Sequence, residues 1–258
     1  MKPVFKFLLL ACCLFISPTV IFGATVENTV NSTLNQLVGF SFWVIFSAMV
    51  AATLFFYSER SRVSNEWKTS LTVMSMVTLI AAMHYYYMRG EWDSHQASPT
   101  ALRYIDWTLT VPLQMIEFYL ILRAVSNVSS GVFFRLLGGT VVMLLAGYLG
   151  EAKLFPFLEG TTAYLTAFVI GMAGWIYILY EIFAGEAARK SEQATEGVQM
   201  AFNACRVIVL VGWAIYPIGY LMGYYEALGN APINLIYNLA DFINKIAFGV
   251  FIWSAAVH

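Results

Sequence analysis

Residues 103–122 read RYIDWTLTVPLQMIEFYLIL, a stretch long enough and apolar enough to cross a bilayer as a helix. It nevertheless carries Arg103, Asp106 and Glu117, although a charge at the bilayer centre costs about 3 kcal/mol on insertion scales. Thr110 lies four residues after Asp106, and Glu117 lies eleven residues after it. Helical periodicity therefore places all four side chains on one face, with Glu117 about 16 Å from Asp106 along the axis. The stretch predicts a membrane helix with a functional polar face.

The composition of the whole chain supports a membrane protein. Of its 258 residues, 60% are hydrophobic and 11% are charged, with mean hydropathy +0.70. A soluble domain of this size has about a quarter of its residues charged. The net charge of -1 favours no nucleic-acid partner. Cys12, Cys13 and Cys205 are too few for a disulfide framework and lack metal-ligand spacing, so we expect no metal site.

Seven apolar stretches of suitable length predict an all-α bundle of seven transmembrane helices. The stretches are residues 38–57, 69–88, 101–123, 132–149, 161–183, 202–225 and 233–256. Short polar segments separate them, and no linker is long enough to divide the chain. We therefore expect residues 25–258 to form a single seven-helix domain.

The first 24 residues have the features of a secretory signal peptide. Lys2 and Lys6 precede an apolar core at residues 8–16, and small residues follow at Gly23 and Ala24. An additional transmembrane helix is the alternative, but the stretch is short and Pro18 interrupts it. Residues 25–36 are polar and are expected to form an exported tail.

The distribution of basic residues predicts the orientation of the bundle. The first, third and fifth loops with their flanks carry eight Lys or Arg residues, and the second, fourth and sixth carry two. Because cytoplasmic loops are enriched in Lys and Arg, the odd loops are expected to be cytoplasmic. The mature N-terminus would then lie outside and the C-terminus inside.

The seventh stretch carries a second buried array, with Asp241 four residues before Lys245 and therefore on the same helical face. Three readings remain open from the charges alone. The pair could fix helix register, line the pocket of a substrate transporter or receptor, or supply an amine that condenses with an aldehyde. His84 is a further ionisable group at depth, whereas Glu181 and Glu226 are expected to be solvated helix ends.

Three segments closely resemble the microbial rhodopsins, and in particular blue-absorbing proteorhodopsins. They are residues 103–122, the segment Asp241-Phe242-Ile243-Asn244-Lys245 in the seventh stretch, and Trp213-Ala214-Ile215-Tyr216-Pro217 in the sixth. The resemblance extends over all seven stretches and the signal segment. It implies a light-driven protein that binds retinal.

The resemblance also implies a role for each polar residue of the array. Lys245 would bind all-trans retinal as a protonated Schiff base, with Asp106 as primary counter-ion and proton acceptor and Asp241 as second counter-ion. Glu117 would be the cytoplasmic proton donor, and its apolar neighbours favour its neutral form. The remaining assignments are Arg103 on the outward path, Thr110 beside the acceptor, and His84 hydrogen-bonded to the acceptor carboxylate.

The retinal pocket is expected to include Trp107, Trp213, Tyr216, Pro217 and Tyr220. Gln114 is similar to the residue that tunes colour in the family, and an amide there implies blue absorption. The alternative for Gln114 is a hydrogen bond to a neighbouring backbone group.

The resulting prediction is an outward proton pump, which is a transporter and not an enzyme. An acidic residue at position 106 argues against a chloride pump, and Asp106 with Glu117 argues against a sodium pump. A slow-cycling photosensory or regulatory rhodopsin is the alternative. The expected setting is the bacterial inner membrane, in contact with lipid, as a homo-oligomer of five or six protomers with Trp43 or His84 at the seam.

Overall fold

The computed structural model describes residues 24–225 and 229–257. The predicted signal peptide, apart from Ala24, lies outside the described residues, as does Glu226. The chain divides into two compact units, Met1–Leu34 and Asn35–His258. The described part of the first unit is helical from Ala24 onward, so the polar segment predicted as an exported tail is helical in its described residues. The site described below lies wholly in the second unit.

Seven helices in the described residues are long and apolar enough to cross a membrane. These spans, numbered in chain order, are Asn31–Glu59, Lys68–His95, Thr100–Arg123, Ser130–Glu151, Gly160–Ser191, Glu196–Tyr224 and Asn230–Val257. The predicted all-α, seven-helix architecture is confirmed, and each predicted stretch matches one observed span, the sixth ending one residue beyond its span. The protein is therefore a multi-pass membrane protein.

The longest expected loop, between the fifth and sixth spans, is mostly helical. Phe183 ends one helix, Glu186–Ser191 forms a short second helix, and Glu196 begins the next. Glu181, expected to be a solvated end, is instead 3% exposed. Arg135 donates to both of its carboxylate oxygens, from Nε at 2.8 Å and from Nη2 at 3.1 Å. A buried carboxylate of this kind needs such a cation, and the pair links the fourth and fifth spans.

The sixth span is interrupted near its middle. An α-helix over Glu196–Val207 is followed by a π-turn at Ile208–Gly212, and the α-helix resumes at Ile215–Tyr224. Pro217 explains part of this irregularity, because it has no N–H to donate to the carbonyl four residues earlier. Membrane helices tolerate such interruptions when neighbouring groups bond the freed backbone atoms. The seventh span packs beside this segment and against the second span.

Candidate functional site

A lysine lies between two carboxylates in the middle of the bundle. Lys245 Nζ is 2.8 Å from Asp106 Oδ2 on the third span and 2.8 Å from Asp241 Oδ2 on its own span. Asp106 and Asp241 are 0% exposed and Lys245 is 2% exposed. The spacing of four residues between Asp241 and Lys245 brings them together as the sequence predicted. Burial in apolar surroundings strengthens the attraction and makes each of the three groups dependent on the others.

Asp241 is surrounded by hydrogen-bond donors. Tyr216 donates its hydroxyl to Oδ1 at 2.6 Å, and Tyr85 donates to Oδ2 at 2.9 Å. The indole Nε1 of Trp107 lies 3.3 Å from Oδ1 and 3.4 Å from Oδ2. Together with Lys245, these donors hold the carboxylate in one orientation and stabilise its ionised form. Sequence reasoning missed Tyr85, because one tyrosine within the run of three at 85–87 carries no distinguishing signal.

Asp106 has far fewer partners than Asp241. Its Oδ2 accepts from Lys245, but its Oδ1 is buried and has no hydrogen-bond partner within residues 24–225 and 229–257. Thr110 donates its hydroxyl to the backbone carbonyl of Asp106 at 2.9 Å, not to the carboxylate. Of the two carboxylates beside the amine, Asp106 is therefore the one whose ionised form is stabilised by fewer hydrogen bonds.

His84 lies next to Asp106 without the predicted hydrogen bond. Its Nδ1 is 3.8 Å from Asp106 Oδ1, which exceeds hydrogen-bonding distance. The same nitrogen donates to the backbone carbonyl of Ile80 at 2.9 Å, one turn earlier in the second span. Because a carbonyl can only accept, Nδ1 carries a hydrogen in this arrangement.

Arg103 bonds to amides rather than to either carboxylate. Its Nη2 donates to Asn234 Oδ1 at 2.8 Å and to Asn238 Oδ1 at 2.6 Å. The guanidinium lies 5.4 Å from the ring centres of both Phe42 and Tyr237, while its Nε and Nη1 have no partner. The two asparagines were not predicted from the sequence, because the prediction rested on charged residues within the spans and asparagine is neutral.

Glu117 lies in a largely apolar part of the bundle, with the buried hydroxyl of Ser70 nearby. It is 0% exposed, and among the described residues neither of its carboxylate oxygens has a partner at hydrogen-bonding distance. The adjacent Phe118 packs its ring against Phe202 and Phe248, with centroids 5.1 Å and 5.6 Å away. An ionised carboxylate without a partner is too costly in such surroundings, so the geometry favours the neutral acid, as predicted from its neighbours.

A mostly apolar cavity opens beside Lys245. Each residue that the sequence placed in the cofactor pocket lines it: Trp107, Gln114, Trp213, Tyr216, Pro217, Tyr220 and Lys245. Gln114 also donates its Nε2 to the backbone carbonyl of Asn244 at 3.1 Å. An aromatic-lined cavity with one primary amine in its wall suits an apolar ligand that attaches through that amine.

The opposite side of the cavity was missed from the sequence. It is formed by the fourth and fifth spans, through Met143, Leu144, Gly147, Glu151, Phe168, Gly171, Met172 and Trp175. Glu151 accepts from the Tyr104 hydroxyl at 2.9 Å, and the sequence placed it in a loop. The others are apolar or small, so buried charge did not point to them. The fourth and fifth spans approach each other closely at Gly147 and Gly171, because glycine permits close helix packing. These two glycines are the sequence feature that could have indicated this wall of the cavity.

Comparison with known proteins agrees with this geometry. The sequence model of the family described as bacteriorhodopsin-like protein matches residues 36–258. The blue-light absorbing proteorhodopsin of Gamma-proteobacterium Hot 75m4 is 52% identical over 227 residues, covering 87% of this chain and 88% of that protein. The green-light absorbing proteorhodopsin of Gamma-proteobacterium EBAC31A08 is 52% identical over 221 residues, covering 85% and 86%.

A solved structure gives the same result in three dimensions. The crystal structure of blue light-absorbing proteorhodopsin from Med12 superposes with a TM-score of 0.72 at 48% identity, covering 85% of this chain and 98% of that chain. The resemblance to microbial rhodopsins inferred from the third, sixth and seventh spans is thus confirmed, and the chain belongs to the bacteriorhodopsin-like protein family.

Proposed function

We propose that this protein is a light-driven outward proton pump that carries all-trans retinal on Lys245 as a protonated Schiff base. The observation that carries the proposal is the position of Lys245 Nζ, 2.8 Å from two buried carboxylates at the wall of an aromatic cavity. The names of the relatives support the same function. In this proposal the protein is a transporter and not an enzyme.

The cavity fits retinal by the chemistry of its lining. Trp107, Trp213 and Tyr216 supply aromatic walls for an apolar polyene, and Lys245 supplies the amine that an aldehyde requires. When bound, retinal absorbs light and isomerises, which changes the surroundings of the proton on the lysine nitrogen. Asp106 and Asp241 neutralise the positive charge at that nitrogen.

The unequal surroundings of the two carboxylates indicate which one accepts the proton. Ionised Asp241 is stabilised by donors from Tyr85, Tyr216 and Trp107, so protonating it would disrupt those bonds. Asp106 has only Lys245 on Oδ2 and an unpartnered Oδ1. Transfer from the lysine nitrogen to Asp106 therefore disturbs fewer hydrogen bonds, which supports Asp106 as acceptor and Asp241 as the persistent counter-ion.

The remaining polar residues define a direction. Glu117 lies about 16 Å along the third span from Asp106 and, as a neutral acid, can return a proton to the lysine nitrogen. Arg103 lies on the other side of Asp106, where its unpartnered Nε and Nη1 can bind water or steady charge on the outward path. Thr110 donates its hydroxyl to the backbone carbonyl of Asp106, and His84 lies beside the Asp106 carboxylate.

Gln114 supports blue absorption in this proposal. Its amide lines the cavity and holds the carbonyl of the residue preceding Lys245, so its dipole is fixed close to the chromophore site. Because light absorption redistributes charge in a polyene, a fixed dipole shifts the ground and excited states by different amounts. The relatives include both blue-absorbing and green-absorbing proteins, so the colour rests on this residue.

The cellular setting follows from the sequence. We place the protein in the bacterial inner membrane after removal of a signal peptide near residue 24, surrounded by lipid, with the N-terminus outside. The excess of basic residues in the odd loops supports a cytoplasmic C-terminus. A homo-oligomer of five or six protomers is part of this proposal, with Trp43, which is 41% exposed, available at the subunit seam.

Light-induced pH changes in unbuffered cells that express the protein with added retinal test the proposal. Illumination should acidify the medium, and a protonophore or Asp106→Asn should abolish the signal. Cells without added retinal are the control. A coloured protein that produces no pH change would instead favour a photosensory role, and a protein that acquires no colour would refute the retinal site.

A further inference from the structure

Around the π-turn of the sixth span, the backbone carbonyls of Val209 and Gly212 lack their usual α-helical partners. In an α-helix the carbonyl of Val209 would accept from the N–H of Trp213, but that N–H bonds to Ile208 at 3.1 Å. The carbonyl of Gly212 would accept from Tyr216, but that N–H bonds to Trp213 at 3.1 Å. Buried carbonyls in a membrane must find other donors.

Side chains from the two neighbouring spans supply these donors. Trp175 of the fifth span donates its Nε1 to the Val209 carbonyl at 3.1 Å. Asn244 of the seventh span donates its Nδ2 to the Gly212 carbonyl at 3.1 Å. The Val209 and Gly212 carbonyls are thus both bonded to residues that line the cavity beside Lys245.

Asn244 differs from Trp175 because its amide makes a second connection. The same Nδ2 lies 3.2 Å from the hydroxyl of Tyr216, which donates its own hydrogen to Asp241 at 2.6 Å. The two hydrogens of the amide account for both bonds, and the tyrosine accepts one hydrogen and donates one. A continuous series of hydrogen bonds therefore runs from the Gly212 carbonyl through Asn244 and Tyr216 to Asp241.

Glycine at position 212 is required for this contact. A Cβ added to Gly212 would overlap Oδ1 of Asn244, so any larger residue would push the amide away. On its other side Asn244 is held by Gln114, which bonds its backbone carbonyl. The amide is thus fixed between the third and sixth spans with little freedom to move.

We propose that Asn244 is a positioning residue that couples the charge at Asp241 to the shape of the sixth span. While Asp241 is ionised, it orients the Tyr216 hydroxyl, which leaves the tyrosine oxygen to accept from Asn244. The amide then stays in place to bind the Gly212 carbonyl, and the π-turn is kept closed. Loss of negative charge at Asp241 releases the tyrosine, weakens the hold of Asn244 and lets the sixth span move.

This inference rests on the proposed function for its role in a pump, where Asp241 stays ionised and the coupling would keep the π-turn closed, but its structural content can be measured with or without retinal. Spin labels at Met200→Cys on the sixth span and Val125→Cys after the third report the separation of these segments. Both native side chains are exposed, at 51% and 38%, and the described Cys205 is fully buried. Serine replaces Cys12 and Cys13 so that they do not react.

Asp241→Asn is the first perturbation. In the otherwise native protein it should increase the fraction of molecules with a displaced sixth span by about tenfold, equivalent to about 1.4 kcal/mol. In an Asn244→Leu background, where the amide is already absent, adding Asp241→Asn should change that fraction no further. Non-additivity of this kind is the mark of coupling, and a purely structural role for Asn244 would not produce it.

Trp175→Phe is the matched control. It frees the Val209 carbonyl of the same π-turn but leaves the connection to Asp241 intact, so the response to Asp241→Asn should persist in that background. Gly212→Ala displaces Asn244 without removing a hydrogen-bonding side chain and should behave like Asn244→Leu. Tyr216→Phe provides a further test if those variants fail to fold, because it breaks the same connection at the hydroxyl.

The result that overturns the inference is an equal response to Asp241→Asn with and without the Asn244 amide. Measurements on both the retinal-bound and the retinal-free protein separate this failure from failure of the proposed function. If the protein forms no pigment, the pump proposal fails, whereas the distances in the retinal-free protein still decide whether Asn244 couples Asp241 to the sixth span.

Discussion

Gln114 Nε2 donates to the backbone carbonyl of Asn244 at 3.1 Å, joining the third span to the residue immediately before Lys245. The sequence left two readings of Gln114 open, a colour determinant and a side chain that bonds a neighbouring backbone group. The structure shows the backbone bond, and it also places Gln114 in the wall of the cavity. The two readings are therefore compatible, because the bond is what fixes the amide dipole beside the cofactor site.

Replacement of Gln114 by Met should shift absorption to longer wavelength. The substitution keeps the length of the side chain but removes the amide dipole and leaves the Asn244 carbonyl without its donor. Losing this bond should cost about 1 kcal/mol of stability. Absorption spectra and thermal denaturation of the purified pigment measure both effects. Thr140→Val is a suitable control, because Thr140 is a buried polar residue outside the cavity lining and its loss should leave the colour unchanged.

Acidification should shift the absorption of the native pigment to longer wavelength. Asp106 Oδ2 lies 2.8 Å from Lys245 Nζ, so protonation of Asp106 removes a negative charge that stabilises the positive charge in the ground state. As the pH falls, the ionised form of Asp106 and its stabilising effect are both lost. Asp106→Asn should have the long-wavelength colour at every pH. A titration of that variant that still follows the native curve would show that another group controls the colour.

The seven spans could be predicted from their long apolar stretches. The central array could be predicted because charged residues are rare inside such stretches. Lys245 and Asp241 are one helical turn apart, and Asp106 and Glu117 share a face of one helix, so periodicity alone relates them. The roles of Asn234, Asn238 and Asn244 could not be predicted in this way. Asparagine carries no charge, and its function here depends on which carbonyl or guanidinium another span brings within reach. The π-turn likewise depends on side chains from neighbouring spans that satisfy its carbonyls.

Asp241→Asn should destabilise the protein more than Asp106→Asn. Asp241 accepts from Tyr85, Tyr216 and Trp107 as well as from Lys245, whereas Lys245 is the only donor that the described part of the chain gives the Asp106 carboxylate. An asparagine at 241 offers one acceptor oxygen, so at least one of the two buried tyrosine hydroxyls loses its acceptor, at a cost of about 1–3 kcal/mol. Thermal unfolding of the two variants without retinal compares them directly. Equal stabilities would indicate that the donors around Asp241 contribute nothing to the fold.

Glu117→Gln should slow proton uptake without destabilising the protein. Among the described residues neither carboxylate oxygen of Glu117 has a partner at hydrogen-bonding distance, although the Ser70 hydroxyl lies nearby. The substitution therefore removes no formed hydrogen bond and replaces one neutral buried group by another. A positioned acid typically contributes about 100-fold or more to the rate of proton transfer, so return of the proton should slow by that order. Time-resolved absorption and pump currents measure the rate, and thermal unfolding measures stability. Glu186→Gln is the matched control for the rate, because Glu186 is partly exposed and paired with Arg135, outside the proposed proton path. A normal rate in Glu117→Gln would assign the donor role to water or to another residue, because glutamine cannot release a proton as a carboxylic acid does.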